Sequence, residues 1–161
     1  MAQAFYITVQ GQKQGAIKGD VTLKGREGAI LGLALSHEII SPRDPQSGLP
    51  TGRRMHKPLT VTIPWGSATP KLLSALYNNE NLTSVHLSFW RPTAAGAEAQ
   101  FMTIDLTNAN VADLVSRVPN AGDPGLVKME EYNEISLTYQ KIKTTYTDGG
   151  ITATDDWEAR V

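Results

Sequence analysis

Residues 67–82 read SATPKLLSALYNNENL and contain the only strong helical pattern in the chain. Thr69 can cap the start of this helix, and Pro70 follows it in the first turn, where a missing N–H costs nothing. The pattern predicts a helix that ends at Asn78 and Asn79. Apolar side chains recur along it with helical spacing and form one stripe, which we expect to be buried: Leu72, Leu73, Leu76 and Tyr77.

Outside the helix, apolar and polar residues alternate in the way that is typical of β-strands. The alternation is clearest in FYITV, and Leu31 to Ile40 is predicted to form a second long strand with apolar residues on both faces. A change of alternation near Gln140 and Lys141 predicts a bulge or a bend at a sheet corner. The other predicted strands are 17–23, 59–63, 84–91, 100–106, 135–146 and 151–157, with 111–118 as a weaker candidate.

Short strands separated by Gly and Pro turns favour a β-barrel or a sandwich over alternating strands and helices. The chain has 161 residues, which suits one domain with a sizeable core, and no repeat or change of composition divides it. We therefore predict a single, mainly β domain over residues 1–161 with one helix.

Residues 41–58, SPRDPQSGLPTGRRMHKP, contain four prolines and two glycines and are predicted to form an extended loop. A loop of this length in a compact domain is usually either functional or disordered. It carries the only basic cluster of the chain, which comprises Arg43, Arg53, Arg54, His56 and Lys57. Acidic residues lie elsewhere, at Asp155 and Asp156, so opposite charges at separate places permit head-to-tail association of copies.

Composition excludes several functions. The chain has 15 Lys and Arg against 16 Asp and Glu, a net charge of −1, so no large basic surface is available for nucleic acid. Without Cys there is no disulfide, thiol nucleophile or Cys-bound zinc. No stretch approaches the ~20 apolar residues that span a membrane. The first residues, MAQAFYITVQGQ, lack the features of a signal peptide, so we expect the chain to stay in the cytosol unless another route exports it.

The titratable residues also give no catalytic or metal-binding pattern. The three histidines, at positions 37, 56 and 86, lack the spacing of metal ligands, and ordinary hydrogen bonding is the simpler interpretation. The loop contains the residue types of a catalytic triad in Ser47, His56 and Asp44. A Pro-rich loop does not provide a rigid nucleophile elbow, so we do not expect a hydrolase site there. We predict no catalytic centre, no metal and no cofactor.

The sequence resembles the haemolysin-coregulated protein family (Hcp), the tube protein of the bacterial type VI secretion system. The resemblance covers essentially the whole chain, and its most specific part is TGRRMHKPLTVT followed closely by SATPKLLSAL. None of the matching pieces is a catalytic motif. In chain order they are FYITV (5–9), GREGAI (25–30), SHEI (36–39), TGRRMHKPLTVT (51–62), SATPKLLSAL (67–76), ISLTYQKIKTTYTDGGI (135–151) and DDWEARV (155–161).

The resemblance implies a small β-barrel of two antiparallel sheets with one flanking helix, which assembles as a hexameric ring. Rings would stack head to tail into a hollow tube, built in the bacterial cytoplasm inside a contractile sheath. The tube would then be expelled with the spike protein, without a signal peptide, and could carry effectors in its lumen. The partners implied are therefore other copies of the chain, the sheath, the spike and the effectors.

Residues 41–58 are then predicted to be the ring-stacking element, because prolines reduce the entropy lost when a projecting loop docks. The candidate residues are Arg43, Asp44, Leu49, Arg53, Arg54 and Met55, with Asp155 and Asp156 as possible acidic partners. The alternative is an autonomous ligand- or nucleic-acid-binding β-barrel that uses the same loop. An enzyme is the least favoured of the three classes.

Overall fold

The computed structural model describes residues 2–156 and shows a mainly β fold with one α-helix. The predicted last residue of the closing strand, Trp157, and the matching residues after it lie outside this range. The elements are β1 (Phe5–Gly11), β2 (Gly15–Ile17), β3 (Ile30–Gly32), β4 (Ala34–Ser36), β5 (Ile39–Ile40), β6 (Met55–His56), β7 (Leu59–Pro64), α1 (Ala68–Tyr77), β8 (Leu82–Pro92), β9 (Glu98–Arg117), a 3₁₀-helix (Pro124–Leu126), β10 (Tyr132–Thr138), β11 (Lys141–Tyr146) and β12 (Ile151–Asp156).

The long strand β9 belongs to two antiparallel sheets. Its first half pairs with β8 and β11, and its second half pairs with β10. The first sheet also contains β1, β2, β3 and β12, and the second contains β7 and β4. Because β10 and β11 lie in different sheets, the chain changes sheet at Tyr139 and Gln140, which confirms the predicted bend. The two predicted strands at 100–106 and 111–118 are parts of the single strand β9.

The strands do not close into a barrel, so that prediction is wrong. The order β2-β1-β8-β9-β10-β7-β4 is an open path. Leu31 to Ile40 was predicted as one strand, but it is divided into three short strands, of which β3 pairs with β1 and β4 pairs with β7. Alternation of side chains does not specify which neighbour a strand pairs with. Gly32 lies at the division, where a Cβ would come 2.2 Å from the ring of Phe5.

Helix α1 ends at Tyr77 with Asn78 as its C-cap, as the sequence predicted. The predicted cap at Thr69 is wrong, because Ser67 is the N-cap residue and Thr69 lies in the first turn. The predicted stripe is confirmed only at Leu72, and the rest of the buried stripe differs from it. It consists of Ala68, Leu72 and Ala75, while Leu73 and Leu76 are half-buried and Tyr77 is 76% exposed. Ala68 and Ala75 allow the helix to approach the sheets closely. The larger side chains of Leu73, Leu76 and Tyr77 lie beside this contact face.

Two buried polar side chains connect the helix region to the strands. Asn133 is fully buried, accepts a hydrogen bond from Ser116 at 2.8 Å and donates to Thr69 at 3.0 Å. Glu80 is 4% exposed and accepts from the backbone N–H groups of Lys13 and Gln14 at 3.1 and 3.0 Å. Burial would raise the pKa of Glu80, but these hydrogen bonds outweigh it and lower the pKa. Glu80 is therefore ionised and holds the β1–β2 turn.

Candidate functional site

Residues 39–56, which we call the arm, form a separate two-stranded β-hairpin between β4 and β7. Ile39 pairs with His56 and Ile40 with Met55, and an isolated bridge joins Arg43 to Pro50 further out. The predicted extended loop at 41–58 is thus more regular than its prolines suggested. Prolines are compatible with this hairpin because its ladder is short and its outer edges are not paired with other strands.

The tip of the arm is closed by Asp44. Its carboxylate accepts from the hydroxyl of Ser47 at 2.7 Å and from the N–H of Gln46 at 3.2 Å. The N–H of Gly48, at a φ of +73°, donates to the carbonyl oxygen of Asp44 at 2.8 Å. The hydrogen bonds to Ser47 and Gln46 lower the pKa of Asp44. Asp44 therefore stabilises the shape of the tip. The sequence had indicated Asp44 only as a candidate ring-stacking residue.

The arm presents apolar and basic side chains to solvent. Leu49 at the tip is 64% exposed and Met55 near the base is 51% exposed. Arg43 and Arg53 are also exposed. The arm therefore offers exposed apolar surface at both its tip and its base.

The base of the arm is bound to strand β12. Arg54 makes a bidentate ion pair with Asp155, and Nε2 of His56 lies 2.6 Å from the same carboxylate. The hydrogen bond from Arg54 is the main reason that the pKa of Asp155 is lowered, and the bond from His56 adds to it. The carboxylate is thus ionised, and His56 donates to it through Nε2.

Tyr139 connects the base of the arm to the point where the chain changes sheet. Its hydroxyl lies 2.7 Å from Nδ1 of His56 and 2.7 Å from Nε2 of His37. Tyr139 is 4% exposed, and burial raises its pKa to about 12. Burial and, second, the charge of His56 lower the pKa of His37. We call His37, His56, Tyr139 and Asp155 the base network.

Among the predicted site residues, the structure brings Arg54 and Asp155 together. It leaves Arg43 and Leu49 exposed further out on the arm. Arg54 and Asp155 do pair, but within one chain, whereas the acidic residues were predicted as partners on the next ring. Asp156 accepts a hydrogen bond from Gln140 at 3.3 Å. Tyr139 was not predicted as a site residue, and His37 was predicted only to make ordinary hydrogen bonds, which it does with Tyr139. The only signal was the change of strand alternation beside Tyr139, and it does not reveal hydrogen bonding.

A shallow groove lies at the other end of the second sheet from the arm. Part of its lining comes from Leu31, Leu33 and Pro64. The rest includes Met129, from the segment before β10, and Tyr132, the first residue of β10. Leu33 and Met129 are each about half exposed, at 51% and 50%. Glu130 and Glu131 also line the groove.

Two further findings concern residues 2–156. No group of three or more His, Asp or Glu side chains in this range is arranged to hold a metal ion. Within the same range, no helix has both the length and the apolar character needed to cross a membrane.

Comparison with known proteins identifies the family. The family model described as "Type VI secretion system effector, Hcp" matches residues 6–146. The chain belongs to the Hcp family. It is 36% identical to the major exported protein of Pseudomonas aeruginosa strain PAO1 over 100% of this chain and 99% of that protein. The chain is accordingly a member of a family of exported, mainly β proteins of type VI secretion.

Solved Hcp structures share the fold. One crystal structure of an Hcp protein has a TM-score of 0.91 at 28% identity and covers 99% of this chain and 100% of its own. A mutant of Hcp1 from E. coli EAEC 042 has a TM-score of 0.86 at 28% identity, with 97% and 99% covered. The likeness thus includes both sheets, the helix and the region of the arm.

Proposed function

We propose that this chain is the structural subunit of a type VI secretion inner tube. Six copies form a ring by heterologous contacts, and rings stack head to tail into a hollow tube. The tube assembles in the bacterial cytoplasm within the contractile sheath, is expelled with the spike without a signal peptide, and carries effectors in its lumen. The chain has no catalytic role in this function.

The arm is the observation that carries the proposal. It is a hairpin with a closed tip, exposed Leu49 and Met55, and a base bound to β12 through Arg54 and His56. An arm whose shape is already formed loses little entropy on docking. These features favour a stacking element over a flexible clamp for a small ligand.

The in-chain pair of Arg54 and Asp155 refines the stacking proposal. Because Arg54 is bound to Asp155, Arg54→Glu would place two carboxylates together and would disturb the base of the arm. Arg43 and Leu49, further out, are the better candidates for contact with the next ring. The stacking role of Arg53 and Met55 is retained as part of the proposal.

The test is to shorten the arm without disturbing its base. Since Arg43 bridges to Pro50, replacing residues 44–49 by Asn-Gly leaves a two-residue hairpin turn in place of the tip. We expect this variant to form rings that do not stack in electron micrographs, whereas the unmodified protein forms tubes. Monomers from the shortened variant, or tubes of normal length, would contradict the assignment of stacking to the arm.

A further inference from the structure

The two ends of the arm meet at one buried hydroxyl group. His37 lies two residues before β5, where the arm begins, and His56 is the last residue of β6, where the arm ends. Nε2 of His37 and Nδ1 of His56 each lie 2.7 Å from the hydroxyl oxygen of Tyr139. Tyr139 belongs to neither end of the arm, because it follows β10 at the point where the chain changes sheet. Its hydroxyl therefore ties both ends of the arm to the two sheets.

The direction of each hydrogen bond in the base network follows from Asp155. An ionised carboxylate only accepts, so Nε2 of His56 carries a hydrogen. Nδ1 of a neutral His56 is then an acceptor, and the hydroxyl of Tyr139 donates to it. The oxygen of that hydroxyl accepts in turn from Nε2 of His37. With both imidazoles neutral, one continuous chain of donors and acceptors runs from His37 to Asp155.

This chain accommodates one added proton but not two. A cationic imidazole carries a hydrogen on both ring nitrogens. If one ring is cationic, the Tyr139 hydroxyl can still accept from it and donate to the other, neutral ring. If both rings are cationic, two N–H groups converge on one oxygen and the two positive charges repel each other. A second proton therefore favours the withdrawal of one of the two imidazoles.

His37 is the imidazole that has room to withdraw. A hollow that opens to solvent lies beside it and is also lined by Glu38 and Lys57. The Glu38 carboxylate lies 3.2 Å from Nζ of Lys57, and its side chain is 58% exposed. An imidazolium that turns from Tyr139 into this hollow gains water and a neighbouring negative charge. His56, by contrast, is held through Nε2 on Asp155, and its side chain is 2% exposed.

The surroundings of His37 favour its neutral form while the ring stays on Tyr139. Burial and, second, the charge of His56 lower the pKa of His37. The strands β7 and β10 contribute the hydroxyls of Thr60 and Ser136 to the adjoining hollow. The titratable and charged groups around the network are His56, Arg54 and Lys57 at the end of the arm, Glu38 beside His37, Tyr139 after β10, and Asp155 and Asp156 on β12.

We propose that the base network is a proton-operated latch, in which His37 holds the start of the arm on Tyr139 at neutral pH and turns into the hollow at acidic pH. The arm then stays attached through His56 and Arg54 but loses its fixed orientation. The regulatory consequence rests on the proposed function: an arm that must be ordered again on docking docks less well, so stacked rings should separate at acidic pH. The change makes and breaks only hydrogen bonds, so neutralisation should reverse it.

Hydrogen exchange of the unmodified protein tests the latch itself. Exchange is followed at about pH 7.5 and about pH 5, on either side of the usual histidine pKa of about 6.5. The protection of residues 37–57 is divided by that of β8 in the same sample, which removes the effect of pH on the intrinsic exchange rate. We expect this protection ratio to fall several-fold at the lower pH and to recover on neutralisation. An equal ratio at the two pH values would overturn the proposal.

His37→Gln separates the latch from other effects of acid. Glutamine keeps an N–H donor for Tyr139 and does not titrate, so the protection ratio should stay constant between the two pH values. The matched control is His86→Gln, because His86 bonds to Asp105 at 2.5 Å between β8 and β9, outside the arm. This control should lose protection at low pH as the unmodified protein does. Equal behaviour of the two variants would overturn the proposal.

Glu38→Gln tests the hollow with a substitution at an exposed position. Without this carboxylate, the outward imidazolium loses its neighbouring negative charge, so the pH at which half of the protection is lost should move downwards. This variant also keeps the test decisive if His37→Gln does not fold. An unchanged midpoint would show that His37 does not turn towards Glu38, and the latch as proposed would be wrong.

Sedimentation and electron microscopy at the same two pH values test the consequence for stacking. Stacks of the unmodified protein should pellet at neutral pH and separate into rings at acidic pH, whereas His37→Gln stacks should persist at both. Unmodified stacks that persist at acidic pH would overturn the proposal and leave the proposed function standing. If no stacks form at either pH but the protection ratio still falls, the proposed function is wrong and the latch stands.

Discussion

Tyr139→Phe tests whether the base network holds the arm. The substitution removes one hydroxyl, which lies 2.7 Å from both His37 and His56, and it keeps the aromatic ring. The edge-to-face contacts of that ring with the two imidazoles, at 5.8 and 5.5 Å between centroids, can therefore remain. A buried hydrogen bond contributes about 0.5–1.5 kcal/mol, so we expect a loss of roughly 1–3 kcal/mol for the two.

The effect should be concentrated in the arm. Hydrogen exchange followed by mass spectrometry should show faster exchange in residues 37–57, while β8 and the first half of β9 keep their protection. Tyr146→Phe is the matched control, because Tyr146 accepts one long hydrogen bond, at 3.3 Å from Arg91. Unchanged exchange in residues 37–57 of Tyr139→Phe would refute the idea that the base network anchors the arm.

Three further variants test the network and the core. The fold lowers the pKa of His37, so neutral His37 stabilises the fold at a pH above its usual pKa of about 6.5, and this stability is lost as the pH falls below that value. Hydrogen exchange in the arm should therefore accelerate at acidic pH. His37→Gln should flatten this pH dependence. Leu72→Ala should lower the free energy of unfolding by about 2–5 kcal/mol, because Leu72 is buried. Leu76→Ala should lower it clearly less, because Leu76 is only half-buried. Equal losses in denaturant unfolding would contradict the assigned helix face. Glu80→Gln should lower stability at pH 7 by roughly 1–3 kcal/mol, because an amide cannot accept from all the N–H groups that Glu80 binds, and an unchanged denaturation midpoint would contradict this role.

Local patterns predicted the elements better than their partners. The alternation in FYITV and the capped stripe after Ser67 indicated β1 and α1, because both signals depend on residues close in sequence. The division of residues 31–40 between two sheets was not predicted, since it depends on β3 pairing with β1 and β4 pairing with β7, strands that are distant in sequence. The helix face was displaced for the same reason: the alanines at 68 and 75 are recognisable as contacts only once the sheets are present.

The candidate site shows the same limit more strongly. The exposed tip residues could be selected from a Pro-rich, basic loop, because that loop is contiguous. The base network could not, because its members are drawn from both sides of the arm, the turn after β10 and the end of β12. The Arg54–Asp155 pair spans 101 residues. Charge alone suggested that these groups could meet, but only the fold decides that they meet within one chain.

The central claim is that six copies form a ring and that rings stack through the arm. Mass photometry of the purified protein, with electron microscopy of the same sample, tests it most directly. The chain has a mass of 17.5 kDa, so the account predicts a species of about six times this mass and ring-shaped particles that stack into hollow tubes. A single species of about 17.5 kDa at micromolar concentration, without rings in the micrographs, would contradict it.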